Sequence, residues 1–145
     1  MTSDERSQIF TNALKLFTDD SAQSSQAVKS LAALDALPDK LAFGSEGYII
    51  LADPRDPATY TQIASAEGRP LWWEVSSQPS DTALTPVQQR ALRRYGFSVP
   101  SGGDENPYQE WPRARVEELP GFIELIFRDV LNLPDDYAVT LAGGV

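Results

Sequence analysis

Leu71-Trp72-Trp73-Glu74-Val75-Ser76-Ser77 is the stretch on which the reading of this chain turns. Aromatic and β-branched residues favour a strand here, and in a strand neighbouring side chains point to opposite faces. Trp72 and Trp73 therefore cannot enter the same core. One is expected to anchor the fold while the other looks outward or lies under a covering helix, and a divided pair of this kind points to binding.

Upstream, Gly47-Tyr48-Ile49-Ile50-Leu51-Ala52 reads as a strand and Asp53-Pro54-Arg55-Asp56-Pro57 as the loop that ends it. Thr59 to Ser65 alternates bulky with small or polar residues, and Glu67-Gly68 supplies a hairpin turn into Leu71–Ser77. Three strands with short connections make an antiparallel meander. They do not close into a barrel, so the outer strands must be paired or covered.

Downstream, Thr85 is an N-cap, Pro86 takes the first helical position, Gln88 completes a capping box and Gly96 follows the last turn. Leu84, Val87, Ala91, Leu92 and Tyr95 form the apolar side of this helix; Arg90, Arg93 and Arg94 gather on another. Ser98 to Pro112 is loop-like, with Gly102-Gly103 and Asn106-Pro107 as breakers and with Tyr108 and Trp111 inside it. A final helix carries Leu119, Phe122, Ile123, Ile126, Phe127, Val130 and Leu131 on a wide apolar face and closes at Asn132 and Pro134. The tail, Asp135 to Val145, adds an edge strand or stays loose.

At the N-terminus Ile9, Phe10, Ala13, Leu14 and Phe17 recur at helical spacing, predicting a helix over residues 4 to 17 with Ser3 or Asp4 as its cap. After a polar patch from Thr18 to Gln26, Val28, Leu31, Ala32 and Leu34 resume the period until Pro38 stops it. Asp19, Asp20 and Ser21 are good caps and favour two helices over one bent helix. The expected fold is α+β: an antiparallel meander of three or more strands packed against N-terminal, central and C-terminal helices. The chain reads as one domain, with a helical segment over 1–40, a sheet-and-helix core over 41–134 and a tail over 135–145.

Composition narrows the chemistry. At 145 residues a single domain buries roughly 68–70% of the surface its unfolded chain exposes. The chain has no cysteine and no histidine, which removes disulfides, thiolate nucleophiles and the usual general base near neutral pH. The net charge of -9 and pI near 4.4 disfavour binding to a phosphate backbone. No secretory signal or membrane span is evident, so a soluble cytoplasmic protein is expected.

The order of helix, meander with Leu71-Trp72-Trp73-Glu74-Val75-Ser76, then Leu92-Arg93-Arg94-Tyr95-Gly96-Phe97, then Asn106 and Trp111 ahead of an apolar terminal helix ending near Pro134, resembles the YbjN/TY-Chap group. That group is similar in fold to the small acidic chaperones of type III secretion. The resemblance runs from about Gly47 onward and rests on spacing and texture. It implies an α+β fold, often a homodimer, whose sheet and helices form a surface for an extended peptide or partner protein, with no cofactor. The tandem tryptophan and the long, Pro-interrupted approach to the last helix depart from the pattern.

Candidate binding residues are Trp72 or Trp73, Tyr60 and Phe97 as apolar anchors, and Arg90 and Arg94, with Arg93, as a patch for an acidic segment. The alternative is that both tryptophans are covered internally and the arginines are a solvated helix face. Asp53, Asp56 and Asp104-Glu105-Asn106 lack an EF-hand's alternating ligands, so no metal is expected. Ser76 and Ser77 have neither a histidine nor a Ser-x-x-Lys pattern to activate them, so no catalytic residue is expected. Two other readings stay open: an immunity- or antitoxin-like inhibitor of a basic partner, and a small enzyme using only carboxylates.

Overall fold

A computed structural model describes residues 1–15, 47–66, 69–101 and 104–144. The expected second helical stretch around Val28–Leu34, the end of the first helix at Phe17, the Glu67-Gly68 turn and the Gly102-Gly103 breaker lie outside the described residues. The described elements run α1 (Ser3–Leu14), β1 (Gly47–Asp53), β2 (Asp56–Ser65), β3 (Leu71–Val75), α2 (Pro86–Arg94), β4 (Tyr108–Trp111), α3 (Leu119–Leu125) and β5 (Thr140–Gly144). The fold is α+β. One five-stranded sheet has the order β4-β3-β2-β1-β5, and every pairing is antiparallel.

The meander β1-β2-β3 is present, and its outer strands are paired as their exposed edges require. β4 closes the β3 side, so the segment expected as loop from Ser98 to Pro112 contains a strand at Tyr108–Trp111. Four residues between breakers are too few for periodicity to show; Trp111 buried opposite Leu71 is what holds them in the ladder. The tail supplies the other edge, with Thr140–Gly144 paired to β1.

The turn between β1 and β2 is also tighter than the expected five-residue loop. Asp53 Oδ1 accepts the Arg55 amide at 2.9 Å, a side-chain mimic of a turn. Asp56 therefore enters β2 at once, and Pro57 falls where the register jumps from Asp53↔Asp56 to Ala52↔Tyr60. Proline is tolerated there because the irregularity asks for no ladder hydrogen bond.

Helices cover the inner face of the sheet. Ile49, Leu51, Ile63, Leu71, Trp73, Val75 and Trp111 face Phe10, Leu92, Ile123, Ile126 and Phe127 in one apolar cluster. α2 has the expected capping box, Thr85 Oγ1 accepting the Gln88 amide and Gln88 Oε1 accepting the Thr85 amide. Val87, expected on its buried side, is 66% exposed. It precedes Leu92 by five residues, about 140° round a helix of 3.6 residues per turn, and Leu92 sets the buried line. Gly96 ends α2 at φ 95°; a Cβ there would lie 2.9 Å from Gln109 Oε1, whose amide nitrogen donates to the Tyr95 carbonyl.

α1 starts one residue earlier than expected. Thr2, not Ser3 or Asp4, is the N-cap, because Glu5 sits at the third helical position and answers it in a capping box. The C-terminal helix is longer and less regular than expected: a 3-10 stretch (Arg113–Glu118) leads into α3 and a π-helical turn (Ile126–Val130) follows it. Asn132, at φ 59°, closes it.

Arg6, which the sequence reading left unassigned, lies on the buried face of α1 with Phe10, Ala13 and Leu14 and is 0% exposed. Its guanidinium meets both oxygens of Glu124 of α3, with Nε to Oε2 at 2.9 Å and Nη2 to Oε1 at 2.5 Å. Nη1 donates to the carbonyls of Met1 and Tyr137, and the Tyr137 ring stacks 3.9 Å from the guanidinium carbon. The Tyr137 hydroxyl donates to Glu124 at 2.5 Å. Burial pushes the Glu124 carboxyl up, but the bonds from Arg6 and Tyr137 outweigh it and the net shift is downward. Burial, then the bond to Glu124, holds the Tyr137 phenol above its ordinary range, so it remains a donor.

Arg6→Met should cost about 3–5 kcal/mol in urea unfolding, the range for breaking a buried pair and stranding one charge. A carboxyl whose folded pKa is depressed adds stability that is complete above its unfolded pKa and lost as pH falls through the folded value. Glu124→Gln should therefore be less stable at neutral pH and show a flatter loss of stability than the parent on acidification through and below the carboxylate range.

Candidate functional site

Trp73 points into the core and is 0% exposed. Its indole meets Phe97 and Trp111 edge-on, at centroid distances of 4.7 and 5.6 Å, and its Nε1 donates to Thr61 Oγ1 at 2.6 Å. Phe97 is 3% exposed beside it. Trp72, one residue away and on the other face, is 37% exposed and stacks on Tyr108 at 4.7 Å with 13° between the rings.

That outer face has a definite layout. The registers align Glu110, Trp72, Ala64, Tyr48 and Gly144 in one row across the sheet. Tyr48 is 36% exposed. Beside Trp72, Ala64 lies in a small recess of about 190 Å³ lined also by Ser65, Ala66, Arg69, Pro70 and Glu110. In the adjacent row Tyr108 lies opposite Glu74. The main-chain N–H and C=O of Tyr108 are spent on Ser98, on the far side of β4. Tyr108 and Glu74 are therefore a non-hydrogen-bonded pair, the kind whose side chains approach most closely.

Beyond Trp72 along β3 the face opens into a cleft of about 800 Å³. Trp72, Tyr60, Glu74 and Tyr108 line it from the sheet; Ser76 to Gln78 and Asp81 line it from one loop, and Asp104 to Asn106 from another. Asn106 ties these parts together, its Oδ1 accepting the Ser77 amide at 2.9 Å and its Nδ2 donating to the Tyr60 hydroxyl at 3.0 Å. The opposite wall is pinned through Ser80, whose hydroxyl donates to Asp56 at 2.6 Å and whose amide donates to Thr59 Oγ1 at 3.2 Å. Those bonds hold Ser80 and Asp81 at φ 55° and 58°, a conformation that non-glycine residues adopt at a cost. The bonds from Ser80 and Thr59 also draw the Asp56 carboxyl below its ordinary range.

Of the residues singled out from the sequence, Trp72 and Tyr60 come together at this cleft, whereas Trp73 and Phe97 come together inside the core. Arg90, Arg93 and Arg94 are exposed on α2, do not line the cleft and form no ion pair among the described residues. Tyr48, Ala64, Tyr108 and Asp81 had no place in the sequence reading of the site, and Asn106 entered it only as a metal ligand that was set aside. Only alternation along β1 and β2 could have signalled Tyr48 and Ala64. No three acidic side chains among the described residues are grouped to hold a metal ion. Asp81, Asp104 and Glu105 are exposed, a setting for charge complementarity more than for proton transfer in a dry site. No helix among the described residues is long and apolar enough to cross a membrane.

Residues 29–143 match the family described as T3SS (YopN, CesT) and YbjN peptide-binding chaperone 3, TY-Chap3. No curated protein and no solved structure gives a significant match. The matched span contains all but the last residue of the sheet and both walls of the cleft, and leaves out α1.

The two tryptophans should separate in a mutational test. Trp73→Ala should cost about 3–5 kcal/mol of stability by opening a core cavity, while Trp72→Ala, which loses one exposed stacking pair, should cost about 1 kcal/mol. Asn106→Ala strands the Ser77 amide and should cost about 1–2 kcal/mol. Chemical denaturation reads all three.

Proposed function

The chain belongs to this family of peptide-binding chaperones, and on that premise we propose that it holds an extended peptide against the outer face of its sheet, across Trp72. The observation that carries this reading is the exposed Trp72–Tyr108 stack, placed between a small recess and a cleft on a face whose aromatics are not drawn into the core. Exposed aromatic side chains in a preformed recess are the usual energetic anchors of recognition. Trp72, Tyr48 and Tyr60 contact the client in this reading. Trp73 and Phe97 hold the sheet and helices in register behind it and do not touch it. The arginines of α2 keep that helix solvated.

Rigidity belongs to the same argument. Trp72 leans on Tyr108, Tyr60 is held by Asn106, and the Pro79–Asp81 segment is held by Asp56 and Thr59. A recess whose walls are already ordered loses little conformational freedom on binding. No bond is made or broken in this function: the chain keeps a client segment extended and covered, then releases it.

Panning a random heptapeptide phage library on the immobilised protein should yield peptides that Trp72→Ala weakens about tenfold or more, as loss of a hot-spot aromatic does. Binders indifferent to Trp72→Ala and Tyr48→Ala would overturn the reading. Fluorescence offers a second check, because Trp73 and Trp111 are 0% and 3% exposed. Acrylamide quenching of the parent should report Trp72 alone, fall when a selected peptide is added, and nearly vanish in Trp72→Phe.

A further inference from the structure

The wall chemistry of the cleft is one-sided. Glu74 of β3, Asp81 of the first loop and Asp104 and Glu105 of the second all line it, and among the described residues no lysine or arginine does. Acidic residues in turns are common and by themselves indicate nothing. Here, however, they surround the open end of an aromatic stack, and their backbones are held in place. Asp81 sits in the left-handed pair pinned through Ser80, and Asp104-Glu105 adjoin the Asn106 clamp. On its other side Trp72 borders a smaller recess over Ala64, lined also by Ala66, Pro70, Arg69 and Glu110.

The spacing of the two recesses matches an extended chain. From the Trp72 row to the Glu74 row is two residues along β3, about 7 Å. Two residues is also the step that returns an extended peptide's side chain to the same face. A lysine or arginine suits the cleft in both its parts: the methylenes lie along the aromatic rings and the head group reaches the carboxylates. The carboxylates are too dispersed to gather on one small ion, but several can flank a guanidinium or ammonium group.

We infer that the client segment presents an apolar side chain and a basic side chain two positions apart, the apolar one over Ala64 beside Trp72 and the basic one in the acidic cleft beyond Trp72. This rests on the peptide-binding reading above and adds the chemical class of the peptide. The overall negative charge draws any basic molecule weakly toward the protein; the cleft converts that attraction into position. Binding should accordingly weaken as salt screens the pair.

The test uses the Trp72-dependent peptides from the library, selected at physiological salt. They should be enriched in Arg or Lys two positions from an aliphatic or aromatic residue. Synthetic copies with citrulline in place of Arg should bind the parent protein roughly three- to thirtyfold more weakly, the range for a partly desolvated cation–π contact and ion pair. A variant carrying Glu74→Gln, Asp81→Asn, Asp104→Asn and Glu105→Gln should lose the preference for Arg over citrulline; Asn tolerates the left-handed backbone at position 81. Trp72-dependent binders with no basic enrichment, or citrulline peptides bound as tightly as their Arg parents, would overturn the inference and leave peptide binding standing. A library with no Trp72-dependent binder would overturn the peptide-binding reading itself. The citrulline comparison needs only the parent protein, so it decides the question even if the neutralised variant does not fold.

Discussion

Strand alternation at Trp72-Trp73 is the constraint around which the rest of the structure is arranged. With Trp73 turned inward, the sheet acquires an aromatic centre to which α2, through Phe97, and β4, through Trp111, are both attached. Thr61 Oγ1 accepts the indole N–H and its own hydroxyl donates to the Glu74 carbonyl, so burying this large side chain leaves its indole nitrogen satisfied. Trp72 is then obliged to face out. Its exposure follows from the same geometry that makes Trp73 the anchor, and what the outer face offers a partner is fixed by what the inner face requires.

A second constraint joins the ends of the described chain. Arg6 of α1 is buried against Glu124 and Tyr137, which belong to α3 and to the approach to β5. A buried guanidinium is tolerated only when its donors are occupied, and here the carboxylate, two carbonyls and an aromatic face supply that environment. The lock lies on the helical side of the sheet, away from Trp72. It stabilises the scaffold and leaves the outer face free to present its aromatics.

The fold was largely legible from residue patterns. The meander followed from the apolar, β-branched run at Tyr48–Leu51, alternation at Thr59–Ser65 and the aromatic run at Leu71–Val75, and α2 followed from Thr85, Pro86, Gln88 and Gly96. β4 was not legible, since four residues between breakers show no period and owe their pairing to β3 and to the burial of Trp111. The burial of Arg6 was not legible, because it depends on a partner 118 residues away. The candidate cleft was half legible: Trp72 and Tyr60, singled out from the sequence, both line it, while Tyr48, Ala64, Tyr108 and Asp81 acquire a position only by register or loop placement.

By itself the sequence determined that the two tryptophans part across a strand, that an antiparallel meander is followed by a capped helix, and that the ordinary histidine and cysteine chemistry is missing. These are local or compositional properties, set by backbone geometry and side-chain type. Tertiary structure decided which indole faces outward, because that depends on which side the helices cover. It also decided that Ala64 lies in a recess beside Trp72 and that Glu74, Asp81, Asp104 and Glu105 share one cleft. Those groups come from separate strands and loops, and only long-range pairing and packing bring them together.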